Sequence, residues 1–86
     1  MHTSDKRIIR LIDVLIFDKT ITNTRHFCQE IDVLEQTVSK IKKGTNRFTV
    51  AHIEVICKKY NVNANWIYGL EKKVFRSPES IEITDV

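Results

Sequence analysis

The sequence predicts an all-α domain of five short helices. Three observations carry that prediction. Apolar residues recur at three- and four-residue spacing through most of the chain, the period of a helix rather than a strand. Residues that cap helices well, Asn23, Thr49 and Asn63, stand directly ahead of three of those segments. The 86 residues include only two Gly and one Pro, too few for the many turns of an all-β fold. A hydrophobic fraction of 42% supplies one modest core, so one folded domain is expected rather than a disordered chain.

The first helix has Ser4 or Asp5 as its expected cap, and Ile8, Leu11, Ile12 and Leu15 as its stripe. Ile9, Val14, Ile16 and Phe17 widen that stripe, which predicts burial on more than one side. The helix should end near Asp18-Lys19-Thr20, with an extended link through Ile21. Asn23 caps the second helix, whose inner face is Phe27, Cys28 and Ile31; Asp32 breaks it. A third helix follows from about 35 to 43, with Val38 and Ile41 inward and Gly44 as its stop. Thr49 caps the fourth, and Phe48 and Ile53 are spaced as a hydrophobic staple. Its inner face is Ile53, Ile56, Cys57 and Tyr60, and Asn61 suits a left-handed exit. Asn63 caps a short fifth helix, 64–70, in which Trp66, Ile67 and Leu70 should close the core. Beyond it lies an exit strand or tail, punctuated by Ser77-Pro78. The expected organisation is a folded domain over 1–76 and a flexible acidic tail over 77–86.

Charge is distributed unevenly. The net charge is +3, but Glu79, Glu82 and Asp85 lie in a tail that holds no base, which leaves +6 on residues 1–76. Lys40, Lys42, Lys43 and Arg47 fall within eight residues that contain no acid. Such a patch attracts phosphate backbones, although a solvated charged face has the same composition. No segment has a signal-peptide layout, and the stretch from Ile8 to Phe17 is too short and too charged to span a bilayer. A soluble cytoplasmic protein with reduced Cys28 and Cys57 is expected.

Residues 24–44 carry the functional signal. They read as two short helices joined by a tight turn, the second with small polar residues at its start and lysines at its end. That is the layout of a helix presented to the major groove of DNA. Thr37-Val38-Ser39-Lys40-Ile41-Lys42-Lys43-Gly44 resembles the Thr-Ile-Ser-Arg-Ile-Glu-Asn-Gly that closes the third helix of phage-repressor/Cro-like, XRE-type regulators. Ile56-Cys57-Lys58-Lys59-Tyr60-Asn61-Val62-Asn63-Ala64-Asn65-Trp66-Ile67 follows the order and spacing of that family's next two helices. The resemblance covers residues 23–70. It implies a compact five-helix lambda-repressor-like DNA-binding domain with a short C-terminal tail, the helix-turn-helix lying at about 24–43.

Three positions depart from the family pattern. Asp32 stands for the turn glycine, at a residue type that tolerates a left-handed conformation. Leu34 stands for the usual Ser cap and weakens that helix start by ~1 kcal/mol unless it gains packing. Thr24 stands for a Gln and is a shorter donor.

The resemblance also implies site residues. Base edges would be met by Glu35, Gln36 and Thr37, with Lys40 one turn further on. Gln36 can bond adenine bidentately, Lys40 can reach guanine O6 and N7, and Glu35 can accept from cytosine N4. Phosphates would be met by Thr24, Arg25, Lys43, Thr45, Asn46 and Arg47, which supply affinity without sequence information. The implied function is sequence-specific binding of double-stranded DNA by a repressor-like transcriptional regulator. It would act as a homodimer on a near-palindromic operator, with Tyr68, Val74 and Phe75 as apolar material for the dimer surface.

Other chemistry finds little footing. His26 and Cys28 point to different helix faces, and His52 and Cys57 are five apart, so no metal site is expected. With only Gly44 and Gly69 there is no phosphate-cradling loop, and no nucleophile–base pair has a defensible spacing, so neither an enzyme nor a cofactor is expected. The alternative to DNA binding is an antitoxin-like or adaptor module that uses the same fold on a protein partner. Leu34 and Glu35 at the head of the third helix favour it, as does the tail, where alternating Ile81 and Ile83 could add a strand to a partner.

Overall fold

The computed structural model describes residues 1–76, and the features expected of 77–86 lie outside them. Five helices occupy the described residues: α1 (Thr3–Phe17), α2 (Thr24–Glu30), α3 (Glu35–Lys42), α4 (Val50–Tyr60) and α5 (Ala64–Ile67). The all-α expectation holds, and no strand of more than a single bridge is present among the described residues.

One core joins the helices. Ile8, Leu11, Ile12 and Leu15 of α1 are buried with Phe27, Cys28, Val38, Ile41, Ile53, Ile56, Trp66 and Ile67. Helix α1 packs on α2 and α5, and α2 packs on α3. Arg7 lies 5.2 Å above the Trp66 ring, which adds a cation–π contact across the α1–α5 seam. Phe27 stacks on Tyr60 with ring centres 5.9 Å apart, joining α2 to α4.

Each helix leaves through one residue in the left-handed region: Lys19 (φ 66°), Asp32 (φ 58°), Gly44 (φ 83°), Asn61 (φ 56°) and Gly69 (φ 79°). At four of these exits two backbone bonds close the end. After α3, Thr45 N–H donates to Lys40 O at 2.9 Å and Gly44 N–H to Ile41 O at 3.0 Å. The same pair of bonds recurs after α1, α2 and α5, and it satisfies carbonyls that a helix end would leave bare. Asp32 and Asn61 therefore do what the sequence anticipated.

Two exits follow from sterics. Gly69 is favoured chiefly by its positive φ, and a Cβ there would also press on Thr3 Cγ2 at 3.1 Å. Lys19 has neither glycine's freedom nor the short polar side chain of Asp32. Lys19→Gly is expected to stabilise the domain by about 0.5–1 kcal/mol, and Asp32→Gly by less, read as shifts in the urea midpoint. Equal gains, or a loss at Lys19, would contradict this account of the exits.

Four expectations need correction. Neither Ser4 nor Asp5 caps α1; His2 occupies the cap position without a side-chain bond. Asp5 lies within the first turn and is buried, recruited by a loop 43 residues away. Phe17 is 89% exposed, because α1 is in its last turn there and the chain leaves through Lys19. Leu70 is 75% exposed, because α5 stops at Ile67 and Gly69 turns the chain away. Val74 and Phe75 do not project beyond the core. They are half-buried and packed against it, and Phe75 bridges Val62. Asn63 N–H donates to Val74 O at 2.8 Å, and Arg76 N–H donates to Asn61 O at 2.9 Å. Tyr68 remains exposed as expected.

Candidate nucleic-acid interface

Local chemistry fixes α2. Asn23 caps α2 by accepting from His26 N–H at 2.9 Å. His26 Nδ1 accepts from Thr22 N–H at 3.0 Å, which assigns the ring proton to Nε2; that nitrogen faces Glu30 Oε1 at 3.1 Å. Lys59 of α4 donates to Glu30 Oε2 at 2.9 Å. Glu30 thus ties the end of α2 to α4, beside the Phe27–Tyr60 stack.

The Lys59 hydrogen bond, followed by that of His26, holds the Glu30 carboxyl below its ordinary pKa. Hydrogen bonds from Asn65 and then Asn63 do the same for Glu71. A carboxylate whose pKa is lowered by folding stabilises the native state above its unfolded value of about 4.3, and that contribution is lost as pH falls through the folded value. The melting temperature should therefore fall below about pH 4.3, and Glu30→Gln should shrink the fall. An unchanged acid limb in that variant would exclude Glu30 as a contributor.

The turn at Asp32 then sets α3 against α2. Val38 and Ile41 are buried, and Thr37 is half-buried. Leu34, Glu35, Gln36, Ser39, Lys40, Lys42 and Lys43 are exposed. Gln36, Lys40 and Lys43 recur at four- and three-residue spacing and so share one face. The helix has no side-chain cap at Leu34, as its residue type requires. Glu35 in its first turn and lysines in its last both agree with the helix dipole.

The expected site residues fare differently. Arg25 and Glu35 are brought together, Nε to Oε1 at 3.7 Å, with both side chains more than half exposed. Such a pair contributes about 0–1 kcal/mol, so its main effect is to neutralise the one acid on the α3 face. Thr24 is half-buried at the start of α2. Thr45 Oγ1 donates to Lys40 O at 3.1 Å, so its hydroxyl hydrogen serves the α3 exit rather than a phosphate. Asn46 accepts from Arg47 N–H at 2.8 Å through its side-chain oxygen, not its amide donors. Lys43 and Arg47 are exposed.

Sequence reasoning missed one residue here. Asp5 accepts from Phe48 N–H at 3.0 Å and lies 3.8 Å from Arg47 Nε. No local signal distinguishes it from a helix-cap acid, because its partners stand in the loop between α3 and α4. Cys28 and Cys57 are free thiols, raised in pKa chiefly by burial, which disfavours the reactive thiolate. Among the described residues no three His, Cys, Asp or Glu side chains converge as a metal site, and no helix is long and apolar enough to cross a membrane.

No protein-family model, curated protein or solved structure matches this chain.

Proposed function

We propose that this chain is a lambda-repressor-like, sequence-specific double-stranded DNA-binding protein, a repressor-like regulator of transcription whose α3 enters the major groove. The observation that carries the reading is the outward face of α3. Gln36, Lys40 and Lys43 are exposed on a helix anchored beneath by Val38 and Ile41, and its single acid, Glu35, is paired with Arg25. An amide and cations on one helical face match the donor and acceptor edges of base pairs and the phosphates beside them. The resemblance over residues 23–70 supports the same conclusion. A homodimer would place two copies of α3 in half-sites about 34 Å apart.

Binding to random duplex at low salt is the first test, and its absence ends this reading. Given binding, Gln36→Ala should lower affinity for the preferred site by roughly 5- to 150-fold while sparing random duplex, as expected when one bidentate base contact of about 1–3 kcal/mol is lost. Equal losses on both duplexes would remove Gln36 from the base contacts.

One observation favours a second reading. Leu34 is 68% exposed at the head of α3, where it would serve an apolar protein contact better than a base edge. An antitoxin-like or adaptor module would use it so. Absence of duplex binding, together with a partner whose capture is lost on Leu34→Asp, is the outcome that reading predicts.

A further inference from the structure

Among the described residues Asp5 is the sole charged residue in the buried set, at 1% exposure. Removing a carboxylate from water is costly unless its oxygens are occupied. One oxygen is: Oδ1 accepts from Phe48 N–H at 3.0 Å. Oδ2 is buried and receives no hydrogen bond. Its nearest cation is Arg47, with Nε at 3.8 Å, and the Arg47 side chain is 61% exposed. The carboxylate therefore sits beneath the loop that follows α3, between the backbone of Phe48 and the guanidinium of Arg47.

A guanidinium is planar and carries five N–H donors in a fixed fork. Arg47 Nε lies 3.8 Å from the buried carboxylate, an ion pair without a hydrogen bond, and the side chain as a whole is 61% exposed, so donors remain for a ligand. A carboxylate deep in the protein does not compete with phosphate for the outer donors, but it does restrict the long side chain that carries them. Ordering such a side chain otherwise costs affinity when the ligand arrives.

We infer that Asp5 is a positioning residue for nucleic-acid binding: it holds Arg47 and the 45–48 loop in the orientation that receives a backbone phosphate of duplex DNA. This rests on the DNA-binding reading and adds to it a residue of α1 that touches no DNA. Asp5 gives α1 a role at the interface, since it fixes the loop from below while α3 presents the groove-facing side chains.

The test is a double-mutant cycle on affinity for random duplex, using the full chain. Asp5→Asn keeps the side chain's size and an oxygen for Phe48 N–H, but removes the charge that faces Arg47. Loss of a negative charge near DNA should by itself tighten binding. Positioning predicts the reverse, a weakening of about three- to tenfold. It further predicts that Arg47→Ala costs much less in the Asp5→Asn background than in the wild type. Arg47→Lys, which keeps the charge but not the fork, should retain the salt dependence while losing the coupling to Asp5. Circular dichroism and urea midpoints identify any variant that loses affinity by unfolding. If Asp5→Asn does so, Arg47→Lys alone decides, since a held fork predicts weaker binding at an unchanged salt slope, and wild-type affinity would overturn the positioning role. Tighter binding by Asp5→Asn, or additive effects of Asp5→Asn and Arg47→Ala, would overturn the positioning role while leaving DNA binding intact. A wild-type chain that ignores duplex at low salt would overturn both.

Discussion

Neutralising the cationic flank of α3 is expected to remove most of the affinity for random duplex. Lys40, Lys43 and Arg47 are exposed, and together they mark the end of α3 and the loop beyond it. If Lys43 and Arg47 each engage one phosphate, the slope of log affinity against log salt should fall by about 0.9 for each of them replaced, about 2 for the pair, while Lys40 is assigned to a base edge. At moderate salt the triple Ala variant should bind at least about a hundredfold more weakly than the wild type. None of the three is buried and the α3 exit is closed by backbone bonds around Gly44, but Arg47→Ala also strips the buried Asp5 carboxylate of its nearest cation, so the comparison is made on variants whose urea midpoints show them folded. An unchanged slope in a folded triple variant would place the DNA contacts elsewhere.

Phe27→Ala is expected to have the largest effect on stability. The ring is fully buried and lies stacked on Tyr60, so its removal leaves a cavity between α2 and α4. Such truncations cost about 3–5 kcal/mol, a large share of the stability of a domain this size. The urea midpoint should fall sharply, with part of the population unfolded at 25 °C. The effect bears on function because α2 carries the turn that aims α3. Phe27→Leu should cost less and leave the proposed duplex binding unchanged. A loss below about 1 kcal/mol for Phe27→Ala would mean that the α2–α4 seam collapses onto the space left behind.

Much of the fold was legible because its determinants are local. Asn23, Thr49 and Asn63 each cap the helix that begins one residue later. Gly44, Asn61 and Asp32 end helices in the left-handed conformation that their residue types tolerate. The inward residues Val38, Ile41, Ile53, Ile56, Trp66 and Ile67 follow from helical spacing alone.

What was not legible depends on partners distant in sequence. Asp5 reads as a cap until the loop at Arg47 and Phe48 is brought against it. Phe17 and Leu70 have the hydrophobicity of core residues, but each sits where its helix has run out. Val74 and Phe75 look like spare apolar surface until the backbone bonds of Val74 to Asn63 and of Arg76 to Asn61 fold the segment back. In the candidate site, the lysines of α3 were plain from the sequence. The Arg25–Glu35 pair and the use of Thr45 as a helix closure were not, because both depend on how α2 and the loop are turned.

The resemblance drew attention to α3, and the structure adds a face of Gln36, Lys40 and Lys43 with a neutralised acid at its head. The most direct measurement is selection of bound sequences from a random duplex pool by the full chain. The DNA-reading account predicts enrichment of a short half-site, repeated about one helical turn away, with preference at one position lost in Gln36→Ala. A pool that emerges no different from its input would contradict it.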